Sequence, residues 1–411
     1  MKILLSAFAC KPNSGSETGV GWRWALELAK QHEVVVITDE SRRPDIQAEL
    51  IARPVQNLTV VYYRPLVFRK IPLNSKSAHL IYIGWQFGVI WLARALHRRY
   101  GFDLVQHLTY GVFRHPSFLG YVGPPFVFGP VGGGEKAPWA LTRSMPFSEK
   151  VREYGRFSVN LFSKFDPFLW LALSRAKLIL AKTPETTLAL PFPFRHRSVT
   201  QLEIGIDPRE RTAKLPTSPE SAGQLRVLYA GRLLGLKGIH LALRAVAKTI
   251  EAGHSVRFIV VGEGPMRAHL KNLANQLKLG DSVEWIGHIP QRDLFSLYES
   301  VDCLLFPSLH DSSGNVVLEA MSFGVPVVCL DLGGPAVIAD KSCGIVVSTV
   351  GKDEEGVVCG LQEAIVRLIE QPELREKLAQ GARSKSARMT WSAQVEMTMT
   401  LIKDRIDWRG K

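Results

Sequence analysis

A chain of 411 residues, 46% hydrophobic and 22% charged, is too apolar for a disordered polymer and long enough to bury more than one core. Its formal net charge of +13 is unevenly placed: residues 1–214 hold 29 Lys+Arg against 16 Asp+Glu, so the whole excess lies in the first half. A one-sided basic field points to an anionic partner such as a membrane surface or a phosphorylated acceptor, and nucleic acid is set aside because no recognised binding motif accompanies the charge. The five cysteines are odd in number and lack metal-type spacing, which implies reduced, buried thiols and a cytosolic setting. No stretch supplies the roughly 18 uninterrupted apolar residues of a membrane span.

The opening MKILLSAFAC reads as a first strand, because its apolar run is too short for a signal core. A loop rich in Gly and Ser follows through Gly15, Gly19 and Gly21, then a helix from Trp22 and a strand over 33–38. This is a strand–helix–strand unit with a glycine-rich first turn, where backbone N–H groups suit a phosphate. The glycine spacing does not match the dinucleotide fingerprint, and there is no phosphate-loop lysine followed by Ser or Thr. Further strands are expected over 58–63, 103–108, 125–128, 176–182 and 198–203, with helices between several of them, which argues for a doubly wound sheet. His107 lies at one strand end, where open α/β sheets bind ligands. Residues 129–136 read as a turn with three successive glycines. Residues 139–175 interleave aromatic and basic side chains, as a helical hairpin or a membrane-interface segment would.

Residues 206–224 combine Pro and Gly with mixed charges and little periodicity, and mark a linker. A fresh α/β pattern then runs through strands over 226–230, 257–261, 283–286, 303–306, 326–330 and 344–347. Arg232 and Lys237 sit five apart in the loop after its first strand. A guanidinium and a mobile ammonium in one loop suit a diphosphate whose charge grows as a bond breaks. Asp311 and Glu319, eight apart, flank Gly314 and the start of a helix at Asn315 and Val316, whose unpaired N–H groups attract an anion. The chain contains no Asp-x-Asp and no His-Glu-x-x-His, so the leaving-group charge is expected to meet Arg and Lys in place of a metal.

Taken together, Gly231-Arg232-Leu233, Lys237-Gly238, Val261-Gly262-Glu263-Gly264-Pro265, Trp285-Ile286-Gly287 and the paired acids ending Leu318-Glu319-Ala320-Met321 resemble the retaining glycosyltransferases of family 4. The resemblance implies an α/β fold of the GT-B type, two doubly wound Rossmann-like domains facing across a cleft. The expected division is an N-terminal acceptor-side domain over 1–205, rejoined by a last helix near 390–411, and a donor domain over 225–389. It also implies that Glu319 holds a ribose, Asp311 touches donor sugar hydroxyls, and Arg232 and Lys237 grip a diphosphate with the N–H groups near Asn315 and Val316. Gly15 would approach the phosphates from the other domain. Two departures stand out. The first acid is Asp where the family usually has Glu, and the cleft histidine after the strand at 125–128 is missing, so that its role is vacant or is taken by His107 or by the backbone. The expected reaction is metal-independent, cofactor-free transfer from a UDP- or GDP-sugar to a saccharide or lipid-linked acceptor, in the cytoplasm or on the inner face of a membrane. A non-catalytic sugar-nucleotide-binding subunit, an epimerase and a phosphorylase are the alternatives on the same fold.

Overall fold

A computed structural model describes residues 1–74, 77–207 and 223–406. In the first half, seven strands form one sheet: β1 (Lys2–Ser6), β2 (Glu33–Asp39), β3 (Leu58–Tyr63), β4 (Leu104–His107), β5 (Phe126–Val131), β6 (Ala176–Ala181) and β7 (Ser198–Thr200). All are parallel, in the order β3-β2-β1-β4-β5-β6-β7. The second half forms a parallel sheet of six: β8 (Leu225–Ala230), β9 (Val256–Val261), β10 (Val283–Gly287), β11 (Cys303–Phe306), β12 (Val327–Leu330) and β13 (Gly344–Val347), in the order β10-β9-β8-β11-β12-β13. Parallel strands need crossovers that cover both faces, which is why the central strands read as unbroken apolar runs.

Two compact units result. The first comprises Met1–Gly134, Val159–Gly205 and Trp391–Lys411, and the second Glu135–Ser158 and Ile206–Thr390. Residues 135–158 thus leave the first domain, where the sequence had placed them, and pack within the second. The reason is chemical: their buried carboxylates find partners on the second unit's loops, as described below. The final helix, Trp391–Arg405, belongs to the first unit, where Gln394 accepts a hydrogen bond from Gln201 at 2.9 Å. Of the expected linker, residues 208–222 lie outside the described residues.

The first helix, Ser16–Ala29, begins six residues earlier than the glycine pattern suggests. Gly19 and Gly21 are inside it, and they serve close approach: a Cβ on Gly21 would lie 2.2 Å from the Ala9 carbonyl oxygen. β5 likewise runs on to Val131, through residues that read as a turn. Helix Ala78–Tyr100 is apolar nearly all round. It buries Ile81, Tyr82, Trp85 and Val89 against Phe8 and Phe113 in the core of the first unit, and leaves Leu80, Ile83, Phe87 and Trp91 exposed. Among the described residues no helix is long and apolar enough to cross a membrane. Of the five thiols, all are unpaired with one another and four are buried.

Gly21→Ala should destabilise the first unit by about 1–3 kcal/mol, the usual cost of forcing extra volume into packed structure. Urea unfolding followed by tryptophan fluorescence would read it as a lowered first midpoint, since Trp22 and Trp24 are buried in the same helix.

Candidate functional site

The sheet order of the second unit reverses between β8 and β11, which are adjacent although three strands apart in sequence. Chains leaving the carboxyl ends of such neighbours diverge and open a crevice, the usual ligand site of a doubly wound sheet. The β8 loop carries Arg232 and Lys237, and the β11 loop carries residues 307–314. Both expected groups therefore emerge at the one place topology favours.

There the Lys237 Nζ lies 2.5 Å from Asp311 Oδ2 and 3.5 Å from the His310 carbonyl oxygen. The other Asp311 oxygen, Oδ1, accepts from the N–H groups of Gly314 at 2.9 Å and Ser313 at 3.1 Å. Burial pushes the Asp311 carboxyl upward, but the Lys237 charge and hydrogen bond, with the Gly314 and Ser313 amides, outweigh it and hold the carboxyl below its ordinary value. Both oxygens of Asp311 are thus already engaged within the protein. A carboxylate has about four lone-pair sites, so accepting capacity is left over for a sugar hydroxyl. The aspartate is nonetheless first a staple of its own loop.

Gly314 takes a left-handed conformation (φ 73°) at the cap of helix Asn315–Ser322. No side chain caps this end, so the helix presents its first-turn amides, including those of Asn315 and Val316, with no side-chain acceptor. Glu319 follows one turn later, half-buried. Its Oε1 accepts from Gln291 Nε2 at 2.8 Å, and Tyr298 donates to Oε2 at 3.4 Å. Gln291 and Tyr298 stand seven apart on helix Gln291–Ser300, hence on one face. The sequence reading passed over both, because a seven-residue spacing on an amphipathic helix carries no chemical signature. Arg232 is exposed, and its carbonyl oxygen accepts from Tyr229 at 3.1 Å. Tyr229 also stacks on Phe306, with ring centroids 5.9 Å apart.

Two expected site residues lie in the first unit. Gly15 caps helix Ser16–Ala29, and a Cβ there would meet nothing within 4 Å, so the space above this helix end is open. The reversal of the first sheet falls between β1 and β4, and Glu17 accepts from the Gly111 amide across it at 3.1 Å. His107 requires a correction. It is 1% exposed, with Nε2 3.3 Å from the Tyr82 hydroxyl and its ring 5.4 Å from Phe128. Burial lowers its pKa to about 3, so the imidazole is neutral at ordinary pH. The ring is thus sealed from solvent inside an aromatic core, a place that suits packing and not proton transfer.

Sequence reasoning also missed Glu135, Glu149, Glu153 and His310. All four are titratable groups of the second unit, the three glutamates buried and His310 half-buried, and nothing in their spacing brings them together.

Comparison with known proteins agrees with the geometry. Residues 210–385 match the family described as glycosyl transferases group 1. An alpha-D-kanosaminyltransferase from Streptomyces kanamyceticus is 32% identical over 157 residues, which are 38% of this chain and 39% of that protein. The chain spans between 27% and 53% of the length of the first curated relatives it matches. Among solved structures, sucrose-phosphate synthase from Thermosynechococcus elongatus superposes with a TM-score of 0.62 at 17% identity, covering 98% of both chains. The Anabaena protein HepE in complex with UDP and glucose gives 0.58 at 17% identity, covering 99% of this chain and 100% of that one. The fold is accordingly that of the GT-B glycosyltransferases.

Because folding lowers the Asp311 carboxyl, its contribution to stability is present above pH about 4 and is lost as pH falls through the folded value. Lys237→Met leaves a buried carboxylate without its cation, and acid then relieves the variant by protonating it. Denaturation midpoints of the two proteins should therefore differ most at pH 7 and draw together only as pH falls below about 4, through the folded Asp311 value. A constant gap would show that the pair contributes nothing pH-dependent.

Proposed function

We propose that this chain, whose second unit belongs to the glycosyl transferases group 1 family, moves a sugar from a UDP- or GDP-sugar to a saccharide or lipid-linked glycan acceptor. The observation that carries the reading is the convergence, at the β8/β11 reversal, of Arg232, the Lys237–Asp311 pair and the uncapped helix at Asn315. A diphosphate fits this set, with its oxygens on the first-turn amides and the two cations beside it. Glu319, steadied by Gln291 and Tyr298, would accept from the ribose hydroxyls. The UDP in the HepE complex supports a uridine donor.

In the proposed retaining reaction the bond from the sugar's anomeric carbon to the phosphate oxygen breaks. The acceptor oxygen bonds to that carbon on the same face, and its proton passes to the departing phosphate. Arg232 and Lys237 stabilise the charge that grows on that phosphate, and no metal is assigned a part in the step. Lys237 has three donors, so it can hold Asp311 and a phosphate oxygen together. Asp311 thereby orients the lysine, and this role does not need the longer Glu side chain.

Arg232→Ala with Lys237→Ala should weaken UDP binding in titration calorimetry by at least about 100-fold, taking about 1.5–3 kcal/mol for each charge-assisted contact. Donor turnover should fall at least as far, and EDTA should leave wild-type turnover intact. Unchanged turnover in the double variant would overturn the mechanism. UDP binding without turnover on any saccharide or lipid-linked acceptor would favour the non-catalytic subunit.

We also propose that the first unit rests on an anionic bilayer. Phe87 packs near Phe118 (5.6 Å) and edge-on to Phe168 (6.4 Å), so helices Ala78–Tyr100 and Pro167–Arg175 share one exposed apolar surface. Trp91 lies on it with the Arg94 guanidinium 5.2 Å from its ring, an aromatic–cation pairing suited to the headgroup layer. That would place the enzyme at the cytoplasmic face of a membrane. Wild type should sediment with phosphatidylglycerol-containing vesicles and less with phosphatidylcholine alone, and Trp91→Ser with Phe168→Ser should abolish it. Failure to sediment with either vesicle would remove the membrane from the reading.

A further inference from the structure

We infer that residues 135–158 are a clasp that positions both donor loops of the second unit, an inference that rests on the donor-site reading above. Three buried carboxylates of this segment, Glu135, Glu149 and Glu153, are at most 4% exposed. Burying carboxylates is costly unless each is paired, so what they pair with is informative.

Glu149 Oε2 accepts from the Gly235 amide at 3.0 Å, and Arg152 pairs with the same carboxylate. Gly235 lies between Arg232 and Lys237 and begins the short turn Gly235–Lys237, so this bond fixes the turn that aims the lysine. The other two carboxylates grip the second loop. Glu135 Oε2 accepts from the Ser312 hydroxyl at 2.7 Å and lies 3.7 Å from His310 Nε2. Glu153 Oε1 lies 3.4 Å from His310 Nδ1, while its other oxygen takes Arg156 at 2.6 Å. Burial raises the Glu153 carboxyl, but His310 and Arg156 outweigh it and leave it below its ordinary value, hence charged.

His310 therefore joins the two sides. Its ring sits between Glu135 and Glu153, its carbonyl faces the Lys237 ammonium, and the next residue is Asp311. The segment is fastened again at Ser144, whose amide donates to Glu354 at 2.8 Å, and Glu354 also meets Arg244 at 3.3 Å. Simple packing would need only apolar contact. Here carboxylates from one segment reach the turn between the two cations and the residues on either side of Asp311. Glu135, Glu149 and Glu153 are positioning residues that act through Lys237 and Asp311.

The test compares full-length wild type with Glu149→Ala, Glu149→Gln and the pair Glu135→Ala, Glu153→Ala. Amide hydrogen exchange and UDP titration are the two readouts. Glu149→Ala should speed exchange over 232–238 and weaken UDP binding about tenfold, the scale of one lost charge-assisted hydrogen bond. Glu149→Gln keeps an acceptor oxygen for the Gly235 amide and should restore both. The Glu135/Glu153 pair should instead speed exchange over 310–314, with a similar loss of affinity. Unchanged loops would overturn the clasp, and so would faster exchange throughout the second unit that Gln fails to restore. Faster loops with unaltered UDP affinity would overturn the positioning role. If wild type binds no UDP, the donor-site reading falls, and the exchange pattern still decides whether the segment orders the loops.

Discussion

Everything proposed for the second unit depends on one half-buried ion pair. An ammonium and a carboxylate taken out of water repay their desolvation only where geometry is good and the remaining lone pairs are used. The Lys237–Asp311 pair meets that condition because Asp311 also collects two amides of its own loop. The pair thus ties the β8 loop to the β11 loop across the reversal of the sheet. The helix at Asn315 starts directly from the loop that Asp311 staples.

The sheet explains why the pair can exist there. β8 and β11 are hydrogen-bonded neighbours whose following chains turn toward opposite edges, so neither loop is covered by the other's crossover helix. Elsewhere a loop at a strand end meets the next helix in line. At the reversal the two loops meet each other, with the carboxylates of residues 135–158 beside them. Polar groups collected there can face a ligand while their backbones stay anchored in buried strands.

Much of this was legible in the chain. Buried parallel strands announce themselves as runs of Val, Ile and Leu, and the strands of both sheets fall near the expected positions. Asp311 and Glu319 were legible because their separation bridges a loop and one helical turn, a local relation that sequence preserves. Local glycine chemistry was less reliable: Gly19 and Gly21 looked like loop residues, whereas they let a helix pass close to the Ser14 and Ala9 carbonyls. His107 looked functional from its place at a strand end, and its burial in an aromatic core could not be read from that place. Glu135, Glu149 and Glu153 could not be read at all. Their partners lie some 85 to 180 positions away in sequence, and no periodicity encodes a contact of that range.

The units are not contiguous stretches of chain, and this bears on how the protein is made. A ribosome delivers Met1–Gly134 first, then a segment that belongs to the other unit, then Val159–Gly205. Helix Trp391–Arg405, which belongs to the first unit, emerges only after the segments of the second unit. The first sheet must therefore wait, with one face incompletely covered, through the synthesis of nearly the whole second unit. Residues 135–158 must wait as well, their carboxylates solvated until the β8 and β11 loops exist. Vectorial synthesis, which normally lets an N-terminal domain finish before the next begins, is here replaced by two folding units that close almost together.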